Sequence, residues 1–137
     1  MEIDPSVLKA LHKVTKRSTH TRHQTGCVIL KKNKIVSNGC AHTSSFRLKQ
    51  LESIHAEIHA LGRGRHIDLK GAVAIVLTMA RKSGNITLSA PCLTCAIALK
   101  SAGINDVIFS TKFGYKIINL EDDLSHLKVY AKRGEGD

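Results

Sequence analysis

Apolar and polar positions change their period along the chain, and each change marks an element. Asp4-Pro5 is an N-cap followed by proline in a first turn, and Val7, Leu11 and Val14 then fall on one side, which predicts a helix over 5–17. The next stretch, TKRSTHTRHQTG, is polar and basic, ends in glycine and reads as a loop. Cys27–Leu30 and Ile35–Ser37 are two β-type runs joined by a lysine and asparagine turn, the pattern of a hairpin. AHTSSFRLKQLES reads as a long polar connection. IHAEIHALGRG after it is a short helix stopped by its glycines.

The run Ala72–Met79 is short, rich in β-branched residues and preceded by Gly71, which predicts a buried strand. ARKSGNITLSA reads as a loop. Residues 92–102 form a helix with Cys95, Leu99 and Ala102 in register and Gly103 as its C-cap; DVIFS is a strand and YKIINL a weaker one. Helix, hairpin, helix, buried strand, helix, strand is the order of a three-layer α/β domain. Its mixed sheet has later strands joined by helical crossovers. Ligands in such sheets collect where helix N-termini meet strand C-terminal ends.

At 137 residues one domain over 1–137 is expected, and 42% hydrophobic residues with few Pro and Gly suit a folded chain. MEIDPSVLKALHK lacks a basic segment followed by an apolar stretch and a cleavage site. The longest apolar run falls far short of the ~20 residues a membrane span needs. The expectation is therefore a cytoplasmic protein with no membrane partner, in which four cysteines are not disulfide staples but candidates for metal or redox chemistry. Formal charge is +10 and lopsided: residues 1–50 carry ten Lys/Arg against Glu2 and Asp4. Such a field favours a phosphate-bearing partner, from a nucleotide to a single-stranded nucleic acid; a solvated basic surface is the plainer reading of the same residues.

Two short motifs carry chemistry: His55-Ala56-Glu57, and Pro91-Cys92-Leu93-Thr94-Cys95. A CxxC at a helix N-terminus aims two sulfurs at one point, where free N–H groups and the helix dipole favour thiolates. Two thiolates and one imidazole make a three-ligand zinc site with a position left for water, the pattern of a catalytic zinc. His55 is the best third ligand. Glu57, two residues on and in the first turn, is placed to carry protons and not to ligate. The order His-Ala-Glu excludes an HExxH metalloprotease. His59, one turn beyond His55, reads as structural, Cys27 as a buried small hydrophobe and Cys40 as a free loop thiol.

HAE followed by PCLTC resembles the zinc-dependent cytidine and deoxycytidylate deaminase superfamily. The likeness runs over roughly residues 5–112, including TGCVILKKNKIVSNG, HAEIHAL and GINDVIFS. It implies an α/β/α deaminase fold around a central mixed five-stranded sheet. His55, Cys92 and Cys95 would hold Zn2+, which acidifies a water, and Glu57 would move protons between that water, the base and the departing amine. Relatives commonly form homodimers or homotetramers through the helices beside the zinc.

The substrate side of the likeness is looser. Many relatives have asparagine after the glycine that ends the second hairpin strand; this chain has Gly39-Cys40-Ala41, with Asn38 before the glycine as the candidate sugar contact. Transfer-RNA adenosine deaminases usually carry glutamate directly before PC, whereas Ser89-Ala90 stands here, which favours cytosine and makes Ser89 and Ala90 candidate substrate contacts. The extra metal-binding insertion of regulated deoxycytidylate deaminases has no obvious residues. Arg17, Arg22, His23 and Arg47 are candidates for phosphate contact, and Phe113 and Tyr115 for stacking a base or for packing. Three functions therefore stand: cytosine deaminase, adenosine deaminase on transfer RNA, and a non-catalytic zinc module that binds nucleic acid.

Overall fold

The computed structural model describes residues 3–45, 51–122, 124, 125 and 127. Asp4 caps α1 (Pro5–Thr15), its carboxylate accepting the Ser6 N–H at 2.9 Å. The helix stops two residues short of the expected end. There the Gln24 amide donates to the carbonyls of Lys16 and Ser18, at 3.0 and 3.2 Å, and turns the chain toward the sheet.

The hairpin is longer than its apolar runs, β1 spanning His23–Lys31 and β2 Lys34–Cys40. Lys32 and Asn33 both have positive φ, 53° and 67°, the two-residue turn whose twist matches that of paired strands. Pairing slips between Ile29 and Leu30, where β2 carries Val36 as an extra residue.

Within the stretch read as a polar connection, β3 (His42–Ser45) and β4 (Leu51–Ile54) pair antiparallel as a separate two-stranded sheet. Then come α2 (Ala56–Arg63), β5 (Val73–Ala80), β6 (Ile86–Thr87), α3 (Leu93–Ser101), β7 (Asp106–Thr111) and β8 (Gly114–Asn119). The main sheet runs β2-β1-β5-β7-β8, the five strands expected. β6 is a sixth in the segment read as loop: β7 parallels β5 only over Val73–Val76, and β6 pairs with β5 at Thr78 and Met79. β5 and β7 are parallel, so α3 is a crossover, and Gly103 follows it with φ +97°.

Alternation along the strands divides the core in two. Val28, Ile75 and Leu77 pack with Val7, Leu11 and Val14 of α1. Cys27, Ile29, Ala74, Val76 and Val107 pack with Ala56 and Ala60 of α2 and Ala96 and Leu99 of α3. The layers are thus α1, sheet, then α2 with α3. Leu11 is fully buried and contributes about 1.5–3 kcal/mol by the area it removes from water. Both faces close tightly: a Cβ at Gly26 would sit 2.7 Å from the Thr15 Cα, and one at Gly39 2.4 Å from the Ala60 backbone nitrogen.

One end of the sheet gathers what the site needs. β1 begins there at His23 against Ala80 at the end of β5, β2 ends there, and the segment into α3 is tied there to the end of β7 by Ser89 N–H and the Ser110 carbonyl at 2.9 Å.

Candidate metal centre

His55 is the residue before α2 and Cys92 the residue before α3, both with extended backbone, φ/ψ −72°/151° and −73°/167°. Each side chain is therefore held at a helix mouth, where unpaired N–H groups face the same space. The Cys92 sulfur accepts the Cys95 N–H at 3.5 Å, a thiol standing in the usual hydroxyl cap. Pro91, buried just before it, has no N–H to leave unsatisfied.

His55 Nδ1 lies 3.2 Å from Cys95 Sγ and 3.8 Å from Cys92 Sγ. Zinc bonds of about 2.1 Å to nitrogen and 2.3 Å to sulfur at a tetrahedral angle imply a nitrogen–sulfur separation of roughly 3.6 Å. The observed pair of distances straddles that value, so the three donors fit one zinc ion and could hold it.

The sulfurs are placed by hydroxyls that the strand pattern hid. Ser89, which the sequence offered as a substrate contact, is buried: its hydroxyl reaches the Val76 carbonyl at 2.9 Å and takes the Ser110 N–H at 3.0 Å. Ser110, fully buried, takes the Thr78 N–H and donates to the Thr87 carbonyl, joining β5, β6 and β7 behind the centre. The signal was available, since Thr78 and Ser110 are polar residues near the ends of apolar strands.

Electrostatics follow from burial and from the sulfur pair. The hydrogen bond from the Cys95 thiol, aided by His55 and the Cys95 N–H, pulls the Cys92 thiol down to about 4; Cys95 is pushed up, holding the shared proton while buried. A metal ion bound here would take the place of that proton. Glu57, 5% exposed in the first turn of α2, is raised above its ordinary value chiefly by burial, with its own N–H and His55 opposing and Cys92 adding to the rise. His55, Cys92 and Cys95 all lie within its electrostatic reach.

Other candidates scatter. Asn38 pairs with Val28 on the α1 face of the sheet, away from α2 and α3, so it does not face the centre; its Oδ1 is buried without a hydrogen bond. Arg22 and His23 lie where β1 begins against the end of β5 and, with Thr21, Ala80, Lys82 and Ser83, line an open pocket of about 430 Å³. Lys82 was missed because it sits in a loop with no motif. Ala90 is half-buried between Ser89 and Pro91, and Phe113 is 95% exposed at the tip between β7 and β8, the same end of the sheet. Tyr115 packs into the α1-side cluster, and burial raises its phenol above the ordinary value. Arg17 is exposed; Arg47 lies outside the described residues. Cys27 is fully buried, as expected, but Cys40 is a buried strand residue and not a loop thiol.

A family model described as the cytidine and deoxycytidylate deaminase zinc-binding region matches residues 1–111. No curated protein matches the chain in sequence. Among solved structures, cytidine deaminase from Burkholderia pseudomallei superposes with TM-score 0.62 at 16% identity, covering 89% of this chain and 96% of that one. The dCMP deaminase of cyanophage S-TIM5, in complex with dCMP and dUMP, gives TM-score 0.52 at 17% identity over 79% of this chain and 83% of its own. A diaminohydroxyphosphoribosylaminopyrimidine deaminase/5-amino-6-(5-phosphoribosylamino)uracil reductase from Thermotoga maritima gives 0.51 at 20% identity, over 76% of this chain and 28% of that longer one.

Proposed function

This chain belongs to the cytidine and deoxycytidylate deaminase family, a zinc-dependent class of hydrolases, and on that footing we propose that it deaminates a cytosine base carried on a phosphate-bearing substrate, a free nucleotide or single-stranded nucleic acid. The observation that carries this reading is the His55, Cys92 and Cys95 cluster with Glu57 buried in its electrostatic reach, and a basic pocket lined by Arg22, His23 and Lys82 supports the phosphate.

His55, Cys92 and Cys95 would hold the zinc, which when bound would supply Lewis-acid chemistry that makes water a nucleophile near neutral pH. Glu57 takes one proton of the water that adds at C4 and passes it to the ring nitrogen beside it, then takes the remaining hydroxyl proton and passes it to the exocyclic amine, so that the C4–N bond breaks, ammonia leaves and the C4 carbonyl of uracil forms. Arg22, His23 and Lys82 meet the phosphate, and Phe113 offers an uncovered ring to a base. The sulfur anchor at Ser89–Cys92 has no carboxylate at Ala90, which favours cytosine over adenine.

The test is an ammonia-release screen over cytidine, deoxycytidine, their monophosphates, a phosphoribosylated aminopyrimidine, single-stranded DNA and transfer RNA. Turnover should be highest on a phosphorylated or polymeric cytosine substrate. Turnover confined to transfer RNA adenosine, or to unphosphorylated nucleosides, would reject the assignment. A polymer substrate should also show binding that falls steeply with salt, about one power of salt per phosphate neutralised, whereas a mononucleotide should not.

We also propose a homodimer or homotetramer in the cytoplasm, built on α2 and α3. Ile58 and Ile97 on these helices are 38% and 53% exposed, apolar surface beside the centre. Light scattering in line with chromatography should give a mass two or four times 14.9 kDa, and a species of 14.9 kDa alone would remove the proposal. No helix among the described residues is long and apolar enough to cross a membrane.

A further inference from the structure

A second group of soft donors lies outside the centre described above. Cys40 ends β2, His42 begins β3, and His59 stands one turn beyond His55 on α2; their ligand atoms all lie within 4.8 Å of one another. Among the described residues these three and His55, Cys92 and Cys95 are the two groups of this kind. We propose that Cys40, His42 and His59 bind a second zinc ion, which clips the β2–β3 corner to α2.

Each donor is suited to the role. His42 Nδ1 lies 2.8 Å from the Cys40 carbonyl oxygen. A carbonyl only accepts, so Nδ1 carries the proton and Nε2 keeps its lone pair, which is how outer hydrogen bonds orient metal-binding imidazoles. His59 holds its lone pair at Nδ1, where the Cys40 N–H donates at 3.0 Å; an ion takes that lone pair in exchange for the amide contact. Burial, then His42, lowers the pKa of His59, which favours the neutral ring that ligates. Burial raises the Cys40 thiol, while Arg17 and Arg63 pull the other way. On binding, the S–H bond breaks, a sulfur–zinc bond forms and the proton leaves to solvent.

The elements that carry the donors are already brought together. The two rings stand edge to face with centroids 4.6 Å apart. Gly39 lets β2 press so closely on α2 that a Cβ there would lie 2.9 Å from the Ala56 carbonyl oxygen and the His59 carbonyl carbon. The strand that carries Cys40 and the helix that carries His59 therefore approach without help from the metal. One thiolate and two imidazoles is a donor set that suits zinc and disfavours calcium and magnesium, and three protein donors leave a coordination position for water or a further ligand.

The residues are not those of the family's usual centre, and the inference does not depend on what the enzyme deaminates. Its test is metal counting on the folded full-length protein. After equilibration with micromolar zinc and gel filtration, plasma mass spectrometry should find two zinc per chain in the wild type. Cys40→Ser and His42→Ala should each keep one, with far-UV circular dichroism unchanged. Cys95→Ser should also keep one, and its cobalt derivative should show a thiolate charge-transfer band that the additional Cys40→Ser change removes. His42 is only partly buried, so His42→Ala gives an answer even if Cys40→Ser fails to fold. One zinc in the wild type, or two in His42→Ala, would overturn the proposal. Loss of ammonia release with two zinc still bound would instead count against the deaminase reading alone.

Discussion

Glu57→Gln is expected to lower turnover by roughly 10²–10⁴-fold while every metal ion stays bound. The side chain lies in the first turn of α2, buried beside the imidazole and sulfurs that form the centre, yet it is not one of the three clustered donors. Glutamine keeps its shape and can still accept a hydrogen bond, but it cannot take up and hand on a proton. Burial raises the carboxyl, which means that the fold disfavours its charged form, so the neutral glutamine should let the variant fold as well as the parent. Ammonia release and zinc content measured on the same sample check this. Unchanged turnover would end the proton-carrier role, and a non-catalytic zinc module would then be favoured if nucleic-acid affinity also survived.

A larger loss is expected from Cys95→Ser. Removing one of two sulfurs from a three-donor site should release one zinc and lower activity by about 10⁴-fold or more, because the water loses the acidification that the ion provides. Stability should fall too. Cys95 is 1% exposed beneath the helix mouth, and an ion that binds only the folded chain at a thousand times its dissociation constant stabilises it by about 4 kcal/mol. A melting curve of the wild type with chelator should fall to or below that of Cys95→Ser, and added chelator should shift the variant less, by the share of its remaining ion alone. Full activity in the zinc-depleted variant would exclude the metal from the reaction.

Much of the molecule was legible where local chemistry and tertiary demand agree. Asp4-Pro5 starts a helix in both, Ala72–Met79 can only be a covered strand, and the mouth of α3 is announced by proline and two cysteines. Legibility failed where one residue shifts a face. Val36 is an extra residue in β2, and with the alternation broken there the sequence could not say that Asn38 turns toward α1. β3 and β4 were invisible because HTSS and LESI lack the period of a half-buried strand; their ladder shows only in the pairing of the backbone. Cys40 looked like a loop thiol because the apolar run before it stops at Ser37, although pairing continues to the end of β2. Its meeting with His59 depends on β2 and α2 closing over Gly39, a contact between residues far apart in sequence.

The hydroxyl tie between Ser89 and Ser110 has a consequence for how this protein can diverge. Only Ala90 and Pro91 separate that buried knot from Cys92, so the tether has no slack. An inserted residue would add about 3.3–3.6 Å of chain and carry the sulfurs off their partner nitrogen. Lineages that need to admit a different base must therefore vary segments outside residues 89–95, while this short tether is inherited at fixed length.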